Sequence, residues 1–365
     1  MAVDAGPRDW RTPASMVLVQ LFITGMLLLS KVSIVAGMFI FALLAYRSFL
    51  GAAFILPFAL ISERYCTLAV CPNLHPTKGR SSHHPSIVDF ISVLGRDKWR
   101  EMGWHATGWI FLNAFIGYAV PMSLLYYGLS DTTPSYAVIF VNMIPLFTFV
   151  LSLVFRMEAL QIWSIAGLLK IVGVLLSVGG TMLLSLYKGK TLHLWDPIIV
   201  NHHKERHVAE VAGNHLRGTI FLVGSSFTFA CWYLIQSKVL KVYPYKYWSS
   251  MTTCLVGGLQ TSLVGILLRR DKNTWKLGWD LNLVTIIYSG ALATAGRYSL
   301  NSWVVAKRGP TYPPMFNPLS LVFTTLLDSI FIGDEITVGS LLGTTMVIVG
   351  IYIFLWAKSK EVRDK

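Results

Sequence analysis

Residues 14–34 read ASMVLVQLFITGMLLLSKVSI, and residues 217–239 read RGTIFLVGSSFTFACWYLIQSKV. Each is an apolar run of about twenty residues, the length an α-helix needs to cross a hydrocarbon core of about 30 Å. Both runs contain the same tripeptide near their end, Ser30-Lys31-Val32 and Ser237-Lys238-Val239. Outward from this pair, the hydrophobic map appears twice. Apolar runs at 14–34, 38–61, 107–128, 134–155 and 164–186 precede a polar loop at 187–216. Runs at 217–238, 247–268, 281–304, 311–332 and 338–357 follow it. Five crossings per half is an odd number, so the second half must enter the bilayer upside down. The fold expected is an all-α integral membrane protein of about ten transmembrane helices, built as two inverted five-helix repeats. Many secondary transporters build a central site with two alternative openings from such repeats.

Composition agrees. The chain has 365 residues, 54% of them hydrophobic and 13% charged, with mean hydropathy +0.57. Soluble domains carry about 25% charged residues. The lipid bilayer is therefore the first partner. Helices are the expected spanning element, because a lipid-exposed backbone must satisfy its own hydrogen bonds. A β-barrel would show short alternating segments instead. The domain division expected is a first repeat at 14–186, a linker at 187–216, a second repeat at 217–357 and a basic tail at 358–365.

The net charge of +13 does not point to nucleic acid. Lys and Arg are spread over many loops, as the positive-inside rule predicts, with no aromatic-basic face. The loop 62–106 carries Arg64, Lys78, Arg80, Arg96, Lys98 and Arg100, and the tail carries Lys358, Lys360, Arg363 and Lys365. This bias places both termini in the cytoplasm. Arg8 and Arg11 before an apolar run imitate a secretory signal. The counterpart of that run at 217–238 argues for a retained first helix. Cys231 and Cys254 lie in apolar runs, while Cys66 and Cys71 share a loop, so no disulfide framework is indicated. His193, His202, His203, His207 and His215 cluster in the central loop and read as a solvated linker rather than a metal site.

Charges inside the spans are the first candidates for function. A central Arg or Lys costs about 2.5–3.5 kcal/mol on insertion scales, so it usually faces a cavity or a partner. Arg47 and Arg297 lie well inside their spans. Lys31 and Lys170 lie nearer helix ends, where snorkelling to the interface is expected. The only acid placed within a span is Asp328, so the interior favours an anionic group on a solute. Pro145 and Pro318 fall in matching spans of the two halves. Each removes an N–H and disrupts the bond to the carbonyl four residues earlier, at Val141 and Pro314. Asn142 and Asn317 lie beside them and offer both donor and acceptor. Paired helix interruptions near the midplane are the best sequence pointer to a transporter site. Gln20, Asn113, Tyr127, Gln236, Gln260 and Asn301 are further polar residues, expected to make interhelical hydrogen bonds. Gly339-x-x-x-Gly343 and Gly257-x-x-x-Thr261 are expected at close helix contacts. No phosphate-binding glycine loop and no paired intramembrane carboxylates appear, so neither enzyme chemistry nor a cofactor is expected.

Several motifs carry a family resemblance. The first half has Ser30-Lys31, Tyr46-Arg47, Asp131-Thr132-Thr133-Pro134-Ser135-Tyr136-Ala137, Asn142, Pro145 and Phe155-Arg156-Met157-Glu158. The second half has Lys307-Arg308-Gly309-Pro310, Phe316-Asn317-Pro318-Leu319 and Gly333-Asp334-Glu335. In order and spacing these resemble the plant walls-are-thin-related group of EamA-type transporters, also called nodulin-like or UMAMIT, in the drug/metabolite transporter superfamily. Two departures stand out. The stretch from Cys66 to Asp97 looks like an insertion, and the second-half turn reads Gly-Asp-Glu, so that Asp334 matches Glu158. The resemblance implies a ten-helix carrier of small organic solutes, amino acids or auxin-like acids among them.

The reading is a secondary transporter with Arg47, Asn142, Arg297 and Asn317 as substrate-binding residues and Pro145 and Pro318 as helix interruptions. Rocking of the two repeats is the expected motion. The partners expected are a small-molecule substrate, the bilayer and, as coupling ion, protons; homo-oligomerisation is left open. The alternatives are a nucleotide-sugar or phosphorylated-sugar antiporter and a non-transporting membrane scaffold or sensor.

Overall fold

The computed structural model describes residues 10–35, 37–70, 102–131, 140–157, 164–187, 189–192, 215–269, 275, 277–278, 280–331 and 336–363. The helices follow the apolar runs. They are α1 (Arg11–Val35), α2 (Ile40–Val70), α3 (Trp104–Ala114, then a π-helical segment Phe115–Ala119, then Val120–Asp131), α4 (Ile144–Val154) and α5 (Ile165–Leu186). The second half gives α6 (His215–Val242), α7 (Lys246–Leu268), α8 (Leu281–Tyr288, a π-helical segment Ser289–Gly296, then Arg297–Arg308), α9 (Asn317–Phe331) and α10 (Val338–Arg363). Among the described residues, seven helices are long and apolar enough to cross a membrane, and the shorter apolar stretches Ile144–Val154 and Pro314–Leu327 add to them.

Two ends differ from expectation. α2 runs on to Val70, past the predicted end at 61. Glu63 and Arg64 read as loop, yet both are good helix formers and lead into Leu68-Ala69-Val70. The tail residues Lys358, Lys360 and Arg363 belong to α10. The insertion at 71–97, the motif 132–137, Glu158, the histidines at 193, 202, 203 and 207, and the turn 333–335 lie outside the described residues.

The helices form two compact units, and neither coincides with a sequence half. Unit 1 comprises Met1–Lys31, Ile116–Leu234 and Val304–Lys365. Unit 2 comprises Val32–Phe115 and Ile235–Trp303.

In unit 1, α5 packs along α10. A Cβ on Gly173 would lie 2.8 Å from the Gly350 carbonyl oxygen, and one on Gly180 would lie 2.8 Å from that of Gly343. Later residues of α5 thus meet earlier residues of α10, so the two helices run antiparallel. They are equivalent helices of the two repeats, and their opposite direction is the inversion that the odd crossing number requires. Lipid supplies little hydrophobic drive between helices, so association relies on backbones coming close. The glycines permit that approach. Beyond the helix ends, Thr191–Leu192 pairs antiparallel with Ile336–Thr337, and the Val338 N–H donates to the Lys190 carbonyl at 2.9 Å. Gly339 and Gly343 face α5, as their spacing predicted.

Unit 2 repeats the device. α2 and α7, again equivalent helices, run antiparallel. Phe49 lies over Gly258 and Phe41 over Gly265, with virtual Cβ distances of 3.1 and 2.9 Å. Gly257 and Thr261 are both buried, and Thr261 donates within its own helix to Gly257 O, 2.6 Å away. A motion swinging one sequence half against the other would have to part Gly180 from Gly343 and Phe49 from Gly258. The packing therefore opposes rocking of the two repeats as rigid halves.

Candidate functional site

Arg47 and Arg297 belong to unit 2. Arg47, the eighth residue of α2, is 6% exposed, and Arg297 is half-buried as the first residue after the π segment of α8. α2 lies close on that segment. A Cβ on Gly290 would sit 2.8 Å from the Leu50 Cβ and 3.2 Å from the Arg47 carbonyl oxygen, and one on Gly51 would sit 2.7 Å from Thr294 Cγ2. Both arginines are thus held on helices packed tightly to each other.

A buried polar chain crosses four helix segments of the same unit. Asn113 Nδ2 on α3 donates to Gln236 Oε1 on α6 at 2.7 Å and to Thr253 Oγ1 on α7 at 3.2 Å. Gln236 Nε2 donates to Ser302 Oγ on α8 at 2.9 Å. Ser302 and Ser250 hydroxyls are 2.7 Å apart, and Ser250 reaches the Tyr298 carbonyl at 3.2 Å. Asn113, Gln236, Ser250, Thr253 and Ser302 are all at most 1% exposed. Asn113 and Gln236 thus make the interhelical hydrogen bonds their positions suggested, and Gln260 reaches the Phe111 carbonyl at 3.3 Å. Ser33 and Thr285 add a buried hydroxyl pair at 2.8 Å. Such bonds average about 0.6 kcal/mol in membrane bundles, with a maximum near 1.7.

Asn142 and Asn317 belong to unit 1, at two helix interruptions. Asn142 and Met143 form a turn between the helical residues 140–141 and α4, so Pro145 occupies the first turn of a new helix. Pro318 likewise is the second residue of α9, after a 3₁₀ turn at Pro314–Phe316. A proline there removes a donor that no carbonyl needs. Pro314 O accepts the Asn317 N–H, and near Asn142 it is Phe140 O that is engaged, by the Met143 N–H at 3.0 Å and the Ser226 hydroxyl at 2.6 Å. Asn142 is 4% exposed and Asn317 half-buried. Gln20 Nε2 on α1 reaches Asn317 Oδ1 at 3.5 Å.

Three further features of unit 1 were not legible or were misread. Lys170 is 1% exposed and packs within the protein, not along its rim as snorkelling would require. Lys358 is buried and donates to Thr311 Oγ1 at 3.0 Å. Asp131, 6% exposed at the end of α3, takes both oxygens to Arg217 at the start of α6, with distances of 2.7 Å to Nε and 2.9 Å to the terminal nitrogen. The bidentate bonds to the guanidinium hold the Asp131 carboxyl below its ordinary range. An acid at a helix C-terminus and a base at a helix N-terminus each oppose the helix dipole, and the pair offsets this.

The π segments are the least visible from sequence. They occur in α3 and α8, equivalent helices of the two repeats. Gly117, inside the first, leaves room for the Trp232 ring, and Gly290, inside the second, leaves room for Leu50. The available signal was the spacing, since Gly290 follows Gly117 by the interval that separates Pro318 from Pro145. π segments recur at functional sites of helical proteins.

Known proteins resemble this chain over nearly all of its length. The EamA-like transporter family matches residues 86–186 and 216–356. The WAT1-related protein At5g64700 of Arabidopsis thaliana is 34% identical, with 95% of this chain and 90% of that protein covered. WAT1-related protein At1g25270 of the same plant is 29% identical, with 97% and 91% covered. A solved crystal structure shares the fold, with a TM-score of 0.63 at 14% identity, covering 95% of this chain and 98% of that one. Apolar helices, inverted repeats and family together describe a multi-pass integral membrane transporter that sits in a lipid bilayer and binds a small-molecule substrate. The chain belongs to the EamA-like transporter family and, within it, to the WAT1-related group.

Proposed function

We propose that this transporter carries small organic solutes bearing a carboxylate, amino acids or auxin-like acids among them, by alternating access. The observation that carries the proposal is Arg47, an arginine 6% exposed within the membrane-crossing part of α2. A permanent charge at that depth is unfavourable unless it faces a cavity or an opposite charge. Positive charge buried in the protein favours an anionic group on the solute, and Arg297 supplies a second such charge in the same unit. Asn142 and Asn317 are proposed to contact the solute through their amides, at the interruptions made around Pro145 and Pro318. The proposed membrane is the plasma membrane, with the vacuolar membrane as second choice, and both termini face the cytoplasm. Protons are the proposed coupling ion.

Uptake into proteoliposomes of labelled amino acids and of labelled indole-3-acetate tests the reading. Saturable uptake that falls in Arg47→Gln supports it. Uptake of nucleotide sugars alone would move the chain to the antiporter reading, and no uptake of any solute would favour a scaffold.

A further inference from the structure

Gln20 on α1 is 2% exposed in the membrane-crossing part of unit 1, and its side-chain amide is only half used. Its Nε2 lies 3.5 Å from Asn317 Oδ1, beyond the usual range of an N–H···O bond. Its Oε1 is buried and accepts no hydrogen bond among the described residues. The neighbouring hydroxyls are committed elsewhere. Thr24 lies 2.9 Å from its own helix at Gln20 O and 3.2 Å from Ser320 O. Ser320 donates to Asn317 O at 2.8 Å, and Thr324 to Ser320 O at 2.8 Å. None of these protons serves Gln20 Oε1. An acceptor left without a donor away from water is costly, so a polar visitor with a proton to give is favoured there. The amide also lies at an opening in the helical structure. Asn317 is half-buried at the first residue of α9, where the 3₁₀ turn ends and Pro318 has no N–H.

We infer that Gln20 is a specificity-determining residue of the transport site, whose Oε1 accepts a hydrogen bond from an N–H donor of the solute, an ammonium or an amide. This rests on the transporter reading above. Asn317, held by one long contact, turns its amide to the same solute. A carboxylate brings acceptors only and gains nothing from Gln20 Oε1. Gln20 therefore reads the amino end of a solute.

The test uses the full-length protein in proteoliposomes and two matched pairs of labelled solutes. These are phenylalanine with 3-phenylpropanoate, and leucine with 4-methylpentanoate. Gln20→Met removes the acceptor while keeping an unbranched chain of similar length. It should lower the rate ratio of amino acid to desamino acid at least tenfold, with the desamino rate changed less than twofold. Gln20→Glu keeps the acceptors and should hold the ratio within threefold of the wild type. Equal losses for both members of a pair in Gln20→Met would show a packing role and overturn the inference. So would an unchanged ratio in Gln20→Met, or a lost preference in folded Gln20→Glu. Thermal shift of the purified protein separates this inference from the transport reading. If the wild type transports none of the four solutes, yet the amino acids raise its melting temperature and fail to raise that of Gln20→Met, the hydrogen bond from Gln20 to the solute's amino group stands and the transport reading falls. Amino acids without effect in either assay would overturn the assignment.

Discussion

Gly180 and Gly343 face each other across the antiparallel helices α5 and α10, and neither has room for a side chain. A Cβ on Gly180 would come within 2.8 Å of the Gly343 carbonyl oxygen, and one on Gly343 within 2.6 Å of the Gly180 carbonyl oxygen. The obstacle is backbone on both sides, so it does not move aside as a flexible side chain would. Gly180→Ala and Gly343→Ala should each lower the thermal midpoint of the purified protein, by an overpacking cost of about 1–3 kcal/mol. Gly179→Ala is the control, since its Cβ would meet only the end of Met346, 3.8 Å away. Equal stability of all three variants would contradict the close α5–α10 contact.

The chain of buried amides and hydroxyls in unit 2 predicts coupling. Asn113 and Gln236 share a 2.7 Å bond, and neither touches water. Gln236→Leu should destabilise by about 1–3 kcal/mol, because it leaves Asn113 Nδ2 and Ser302 Oγ each short of a partner. A double-mutant cycle with Asn113→Ala and Gln236→Ala should give a coupling of about 0.6–1.7 kcal/mol. Strict additivity of the two substitutions would show that the bond is absent in the bilayer.

Asp131 and Arg217 give a pH signature. The guanidinium lowers the Asp131 carboxyl below its ordinary value of 3.8. A lowered acid contributes stability that is fully present above its unfolded value and is lost as pH falls through its folded value. The thermal midpoint of the wild type minus that of Asp131→Asn should therefore be constant from neutral pH down to about pH 5. It should shrink as acidification passes 3.8 and goes below. A difference that grows on acidification would contradict the pairing.

Orientation is open to direct labelling. On a background without cysteines, single cysteines placed at Tyr187 and His215, the two ends of the central loop, should react with a membrane-impermeant maleimide only from the side opposite the cytoplasm. A cysteine at Arg363 should react only from the cytoplasmic side. The Lys and Arg of loop 62–106 and of the end of α10 set this expectation through the positive-inside rule. Labelling at Tyr187 from the cytoplasm would invert the topology.

The sequence made the spans legible because twenty consecutive apolar residues have few other uses. Inversion was legible from counting alone, and α5 against α10 bears it out. Pairing of interrupted helices was legible from Pro145 and Pro318, although both turned out to begin helices rather than to bend them. What could not be read was which side of a helix faces protein. Lys170 stands in an apolar run whose period does not separate lipid from core, so its burial was missed. The π segments were missed for a related reason. One extra residue in a turn hardly alters a run that is apolar on every side, and only the matched positions of Gly117 and Gly290 hint at it. Asp131 and Arg217 are 86 residues apart in sequence, so no local pattern announced their pairing.

Arg47 is proposed to draw carboxylate-bearing solutes into this transporter. The most direct measurement is the concentration dependence of labelled amino-acid uptake by purified protein in proteoliposomes, for the wild type, Arg47→Gln and Arg47→Lys. Saturable uptake in the wild type is predicted, with uptake falling about tenfold or more in Arg47→Gln, the size expected when one charge-assisted contact of about 1.5–3 kcal/mol is lost. Arg47→Lys should keep part of that uptake if charge alone matters, and lose it if the planar fork of the guanidinium is needed. Uptake by Arg47→Gln with the wild type's rate and half-saturation would contradict the account.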